Sequence, residues 1–131
     1  MFEFFKGEEL YHIVRRKKWL VERDACYCFY TIIKTIKQLK MAGIVHRDIK
    51  AENILVNEKY DQVKLIDFGF SRKHRPGKLM TTAMGSPYYS APEVLAKEHY
   101  DPVKADIWSA GVVLYFMLCG TDLLIRLLAF F

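Results

Sequence analysis

The stretch His46-Arg47-Asp48-Ile49-Lys50-Ala51-Glu52-Asn53, with Asp67-Phe68-Gly69 downstream, decides how the rest of the chain is read. It sets out a carboxylate at Asp48, an ammonium two positions on at Lys50, and oxygen ligands for a hard cation at Asn53 and Asp67. Phosphoryl transfer asks little covalent work of a protein; it needs the nucleophile aligned and the phosphate charge neutralised. Asp48 suits the proton of an incoming hydroxyl and Lys50 the transferring phosphate. Asn53 and Asp67 suit Mg2+, so ATP and Mg2+ are the cofactors this order of residues implies.

The sequence between and around the two motifs places them on a scaffold. Ile54-Leu55-Val56 and Val63-Lys64-Leu65-Ile66 are short β-rich runs, and residues 57–62 read as the turn of a hairpin from which both motifs hang. Upstream, residues 8–18 read as a short helix with Leu10, Ile13 and Val14 on one side. From about residue 22 to 41, Ala25, Phe29, Ile32, Ile33, Ile36 and Leu39 recur at three-to-four spacing, and Gly43 supplies a stop. Residues 67–92, rich in Gly, Pro, Ser, Thr and basic side chains, read as a long surface loop of the kind that is functional in a compact domain. The chain then turns helical briefly at 92–97 and at length at 102–118, where Pro102 suits a first turn. The predicted class is α+β, mainly helical, with one short β-hairpin carrying the catalytic and metal-binding loops.

With 131 residues, 52 % of them hydrophobic and 27 % charged, the chain has a one-domain length and a globular balance that can bury a core without disulfides. Its three cysteines, Cys26, Cys28 and Cys119, form no even framework and are expected to be buried free thiols in a reducing compartment. The N-terminus lacks the pattern of a signal peptide, which gives an intracellular, cytoplasmic or nuclear expectation. The net charge of +5 is densest at Arg15-Arg16-Lys17-Lys18, read as a solvated helix end that matches the dipole and not as a nucleic-acid contact. Ile107 to Gly120 carries no charge, but Asp122 and Arg126 interrupt the apolar stretch, so a buried core helix is expected in place of a membrane span.

The two motifs together, followed by Ala91-Pro92-Glu93, resemble the eukaryotic protein kinase family, over nearly the whole chain up to about Gly120. The resemblance is to the family's C-terminal lobe, preceded by the hinge, and implies a partial kinase domain over residues 1–120 with a divergent apolar tail at 121–131. It implies Asp48 as catalytic base, Lys50 as the phosphate-stabilising cation, and Asn53 and Asp67 as Mg2+ ligands. Lys50, two residues after Asp48, and Gly85-Ser86-Pro87-Tyr88-Tyr89 point to Ser/Thr specificity, with Ser86 placed to touch Asp48 and Lys50. Phe2 aligns with the hinge gatekeeper, the backbones of Glu3 and Phe5 with the adenine-binding groups, and Leu55 with the adenine floor, where a hairpin Leu would be core in any case. Glu9, beside the nucleotide positions, and Glu52 match acidic positions that attract a basic residue upstream of the phosphoacceptor; solvated surface carboxylates are the competing reading.

Regulation is implied by Thr82, three residues before Gly85, with Thr81 as its close rival, and by Arg47, which could pair with a phosphate there. The basic run Arg72-Lys73-His74-Arg75 either joins that pocket or is a solvated loop. Asp106 matches the helix carboxylate that holds the catalytic-loop backbone, or else serves as an ordinary N-terminal helix acid. The stretch from Lys78 to Leu95 most resembles the calmodulin-dependent and AMP-activated kinase group. Ala51 stands where the family usually has Pro and Glu8 where Gly is common.

Residues 1–131 contain no Gly-rich phosphate loop and no strand Lys with its partner Glu, and after Gly120 they leave the family pattern. The expectation is therefore a serine/threonine kinase C-lobe that is inactive alone and poorly soluble, its upstream lobe lost by truncation or an incomplete gene reading. An upstream activating kinase and protein substrates with basic residues are the implied partners. The competing class is a non-catalytic kinase-like scaffold or decoy. A basic nucleic-acid or membrane binder would need salt-sensitive binding through Arg15 to Lys18.

Overall fold

The strand Ile54–Val56 (β3) is the centre of the small sheet from which the site is hung, and the computed structural model describes residues 5–128 around it. It pairs antiparallel on one side with Val63–Leu65 (β4) and on the other with Glu8–Glu9 (β1). The hairpin is thus as expected, but Glu8 and Glu9 are strand and the helix α1 begins later, at Leu10–Lys17. A two-residue strand has no period of its own, and β1 exists because the open edge of β3 offers it hydrogen bonds. Alternation along β3 buries Ile54 and Val56 and leaves Leu55 half-exposed on the opposite face, against the expectation that Leu55 is core.

Helix α2 spans Glu22–Met41, with Glu22 and Asp24 in its first turn, Lys40 in its last, and Gly43 at φ +67 just beyond. Ala25, Ile32 and Ile36 of the expected stripe are buried, together with Cys28, while Phe29, Ile33 and Leu39 are half-buried. Cys28 is held in the thiol form, its pKa pushed up to about 12 by burial and then by the Asp24 charge. Cys26 and Cys119 are exposed, which corrects the expectation for those two thiols; the helix face, not the residue type, decides.

The expected loop 67–92 is more structured than its composition suggests. Ile44–Val45 (β2) pairs antiparallel with Arg72–Lys73 (β5), a tertiary contact no local pattern announces, and a 3-10 turn spans Pro87–Tyr89. Two short helical stretches follow, Pro92–Leu95 (α3) and, after a long helix at Pro102–Cys119 (α4), Leu123–Leu128 (α5) in the tail.

Helix α4, Pro102–Cys119, is the spine of the fold. Asp101 caps it, accepting from the Val103 and Lys104 amides, and Pro102 fills the first turn. Gly120 closes it in the left-handed conformation, where a Cβ would lie 1.7 Å from the Lys18 carbonyl oxygen. Its core side carries Val113, Phe116 and Met117, all fully buried, with the Phe116 ring stacked on Tyr11 of α1 at 5.6 Å. The Leu20 amide docks the α1–α2 link onto the Met117 carbonyl at 2.7 Å. Half of α4 is buried; at mean hydropathy 1.3 it is long and apolar enough to cross a bilayer, a test that a core helix also passes. Its other side leaves Ile107, Trp108 and Leu118 more than 40 % exposed.

Candidate active site

The loop after β2 carries the first motif, and it is held from α4. Asp106, 3 % exposed, accepts from the His46 amide at 2.8 Å through Oδ2 and from the Arg47 amide at 2.9 Å through Oδ1. Those bonds fix a tight corner, since Arg47 sits at φ +67. Burial pushes the Asp106 carboxyl up to about 6, against the two amides and the Arg47 charge, which favour the ionised form. Asp106 therefore grips the loop backbone as the resemblance implied.

The fully buried His46 ties the same loop to the second motif. Its Nδ1 accepts from the Asp48 amide at 3.3 Å, which leaves the ring proton on Nε2 to donate to the Ile66 carbonyl at 3.1 Å. The ring is neutral in this arrangement, and burial accordingly lowers its pKa. Phe68 packs on it edge-to-face at 4.8 Å.

Asp48, 5 % exposed, is surrounded by donors. Asn53 Nδ2 donates to its backbone oxygen at 2.9 Å and to Oδ2 at 3.1 Å, and Lys50 Nζ lies 3.0 Å from the same Oδ2. Oδ1 accepts from the Ser86 amide and hydroxyl, each at 3.2 Å, while Lys50 also donates to Ser86 Oγ at 3.0 Å. Ser86 reaches this place because Gly85, at φ +93, lets the chain pass the Arg47 carbonyl; a Cβ there would stand 2.4 Å from that oxygen. The expected Asp48, Lys50, Asn53 and Ser86 thus form one connected cluster.

The donor set fits Mg2+ by its chemistry. Asn53 spends its amide nitrogen on Asp48 and keeps its oxygen, while Asp67, at φ +58, gives Oδ1 to the Gly69 amide at 3.1 Å and keeps Oδ2. Both are hard oxygen ligands. Among the described residues no group of three or more His, Cys, Asp or Glu side chains could hold a metal. Two hard oxygens are chemically compatible with an ion such as Mg2+, which keeps several waters and takes phosphate oxygens beside one or two protein ligands.

The remaining expected residues lie around this centre. Phe2 and Glu3 lie outside the described residues. Phe5 is half-buried under the Lys64 ammonium, 5.0 Å from its ring centroid. Glu9 pairs in register with Leu55, on the outer face of the sheet, and its carboxylate lies 3.7 Å from His12. Glu52 is half-buried, with its carboxylate beside the buried Tyr89 hydroxyl. Burial, then the charges of Glu52 and Asp122, raise the Tyr89 pKa. Thr81, Thr82 and Arg47 line one cavity with Arg72, while Arg47 Nε donates to the Phe70 carbonyl at 2.7 Å. Sequence reasoning missed Tyr100, whose hydroxyl holds the Thr82 carbonyl at 2.8 Å; a lone Tyr in a loop gives no signal of that contact.

Comparison with known proteins agrees with this geometry. Residues 1–126 match the protein kinase domain family, and the chain belongs to it. It is 45 % identical over 120 residues to calcium-dependent protein kinase 8 of Oryza sativa subsp. japonica, covering 90 % of this chain and 22 % of that protein. It is 44 % identical over 114 residues to the SNF-related serine/threonine-protein kinase of Homo sapiens, covering 87 % of this chain and 15 % of the relative. The serine/threonine-protein kinase KIN4 of Saccharomyces cerevisiae is 42 % identical over 120 residues, again 90 % and 15 % of the two chains. The chain thus spans less than a quarter of the length of each of these three relatives.

Proposed function

We propose that this chain carries the catalytic-loop half of a serine/threonine protein kinase, which transfers the γ-phosphate of ATP to Ser or Thr hydroxyls of proteins. The observation that carries the reading is the Asp48 carboxylate, buried yet bonded by Lys50, Asn53 and Ser86. A buried carboxylate held in one orientation is preorganised to take the proton of a hydroxyl brought beside it. Lys50 neutralises Asp48 while the phosphate is away, and its ammonium turns to the transferring phosphoryl group when the nucleotide arrives. That move frees Oδ2 for the incoming hydroxyl, while Ser86 keeps Oδ1 in place. Asn53 and Asp67 would hold Mg2+, which supplies charge neutralisation on the phosphates when bound.

The half-buried Glu52 carboxylate supports a basic side chain in the substrate, and Glu9 borders the nucleotide face with Leu55 and Phe5. Thr82, with Thr81 as its rival, is the site for an upstream activating kinase, and Arg47 is the first partner of the phosphate. Three free thiols accord with an intracellular setting, cytoplasmic or nuclear.

Residues 1–131 by themselves supply one face of the nucleotide site. Losing one preorganised donor at a developing charge costs a factor of about 10² to 10³, so a chain without the family's phosphate loop and strand lysine transfers phosphate far more slowly than a whole kinase. A radiometric ATP-transfer assay on purified monomeric chain tests this. Transfer barely above background is expected; turnover at about 1 to 100 per second contradicts the reading.

A further inference from the structure

The basic run Arg15-Arg16-Lys17-Lys18 plays no part in the proposed chemistry, and the fold carries it to a corner edged with exposed apolar side chains. Arg16 is paired with Glu8, but Arg15, Lys17 and Lys18 make no ion pair among the described residues. Arg15 and Lys17 lie over the Tyr11 and Tyr60 rings, at 6.0 and 4.8 Å, contacts that leave their charge in place. Directly after the run, Trp19 is 60 % and Val21 57 % exposed, while Leu20 between them is buried. The link thus turns one apolar side chain into the core and two toward water. A single exposed apolar residue is ordinary; a group of them beside unpaired cations marks a contact surface.

Two contacts bring the end of α4 and the tail to the same corner. The Leu20 amide bonds the Met117 carbonyl, and Gly120 packs directly on the Lys18 carbonyl. Leu118, next to Met117, is exposed at that joint. Three residues after Gly120 the chain enters α5, where Ile125 and Leu127 are exposed and the exposed Arg126 stands between them in sequence. Carboxylates are fewer here: Glu22 is exposed, Asp24 is paired with Arg23, and Asp122 is half-buried.

Charge and apolar surface together select the partner. A nucleic acid would use the cations and leave Trp19 and Val21 in water. A second copy placed by a two-fold axis would set the same cations against each other. An anionic lipid surface uses both features, because its headgroups attract Lys and Arg while Trp favours the boundary between headgroups and acyl chains. We propose that the corner formed by the α1–α2 link, the end of α4 and α5 docks on an anionic lipid bilayer. Arg15, Lys17, Lys18 and Arg126 lie at the headgroups, and Trp19 and Val21 enter the boundary. The chain lies on the bilayer and does not cross it, and a contact made of a few cations and a few apolar side chains is reversible. This inference goes beyond the kinase reading and does not depend on it.

The test uses the 131-residue chain, purified as monomer, with Trp108→Phe so that Trp19 is the one tryptophan left. The chain is floated with phosphatidylcholine vesicles made with or without phosphatidylserine, which separates lipid binding from aggregation. It should float with the anionic vesicles alone and be released at high salt, and Trp19 emission should shift to the blue and resist acrylamide quenching. Arg15→Gln with Lys18→Gln should weaken binding about 25-fold, at about fivefold for each cation near the surface. Trp19→Ser should weaken it at least about tenfold with charge unchanged. All these side chains are exposed, so the variants should keep the parent urea midpoint, which separates lost binding from lost folding. A chain that does not float with anionic vesicles, or that floats with Trp19 emission unshifted, overturns the proposal. Trp19 burial that grows with protein concentration in the absence of lipid overturns it in favour of a second copy. A DNA duplex that binds as tightly as the vesicles, equally well after Trp19→Ser, overturns it in favour of nucleic acid. None of these readouts uses phosphate transfer, so failure here and failure of the kinase reading are distinguishable.

Discussion

The catalytic loop and the basic wall formed by residues 72–78 treat charge in opposite ways, although Arg47 belongs to both. In the first, Asp48 and Asp106 are buried and bonded to donors: amides, the Asn53 amide group, the Lys50 ammonium and the Ser86 hydroxyl. In the second, Arg72, Lys73, Arg75 and Lys78 stand exposed in water without carboxylate partners among the described residues. A buried charge must be compensated by the fold itself, whereas an exposed one can wait for an anion that arrives later. The loop that carries Asp48 is therefore compensated within the fold, and the basic wall is not compensated by any carboxylate among the described residues.

The largest effect that would break this contrast is at Asp106. Asp106→Ala leaves the buried His46 and Arg47 amides without an acceptor and should cost about 3 to 5 kcal/mol in urea denaturation. A loss below about 1 kcal/mol would mean that the loop holds its corner without α4.

The pH dependence of the same residue comes next. Burial raises its folded pKa to about 6, above the ordinary 3.8 of an aspartate, so the folded state binds the proton more tightly. This contribution to stability is fully present below the unfolded pKa and is lost as pH rises through about 6. Measured against Asp106→Asn, the parent chain should gain up to about 3 kcal/mol as pH falls from 7 to 4, and a flat difference would refute the shift.

A smaller effect is expected at the joint between α4 and the α1–α2 link. Gly120→Ala forces a Cβ against the Lys18 carbonyl at a positive φ and should destabilise by about 1 to 3 kcal/mol, read as a lowered urea midpoint. The smallest belongs to the basic wall. Arg75→Gln or Lys78→Gln in the unmodified chain should change stability by less than about 0.5 kcal/mol, because an exposed cation without a partner gives up little. A marked loss there would show that the wall is already compensated.

Much of the candidate site's clustering was legible in the sequence because the residues it brings together are close in the chain. Asp48, Lys50 and Asn53 fall within six positions, and the hairpin that returns to Asp67 has strand patterns and a turn of its own. What joins the loop to the rest is not local. Asp106 reaches His46 across 60 positions and was placed by resemblance, while β2 with β5 and Tyr100 with Thr82 carry no periodic signal at all. The strand at Glu8–Glu9 was hidden for the same reason: its cause is the edge of β3, a neighbour and not a propensity. Exposure of Cys26 beside burial of Cys28 shows helix phase overriding residue type.

We propose Asp48 and its neighbours as the preassembled transfer half of a kinase site. The experiment joins residues 1–131 to the ATP-covering lobe of an active serine/threonine protein kinase and follows radiolabelled phosphate from ATP to a Ser/Thr peptide, using a chimera shown to be folded and monomeric. The account predicts transfer well above that of the chain alone, and its loss by at least about 10²-fold in Asp48→Asn. A folded chimera that transfers nothing, or one that transfers equally well without the Asp48 carboxylate, would contradict it.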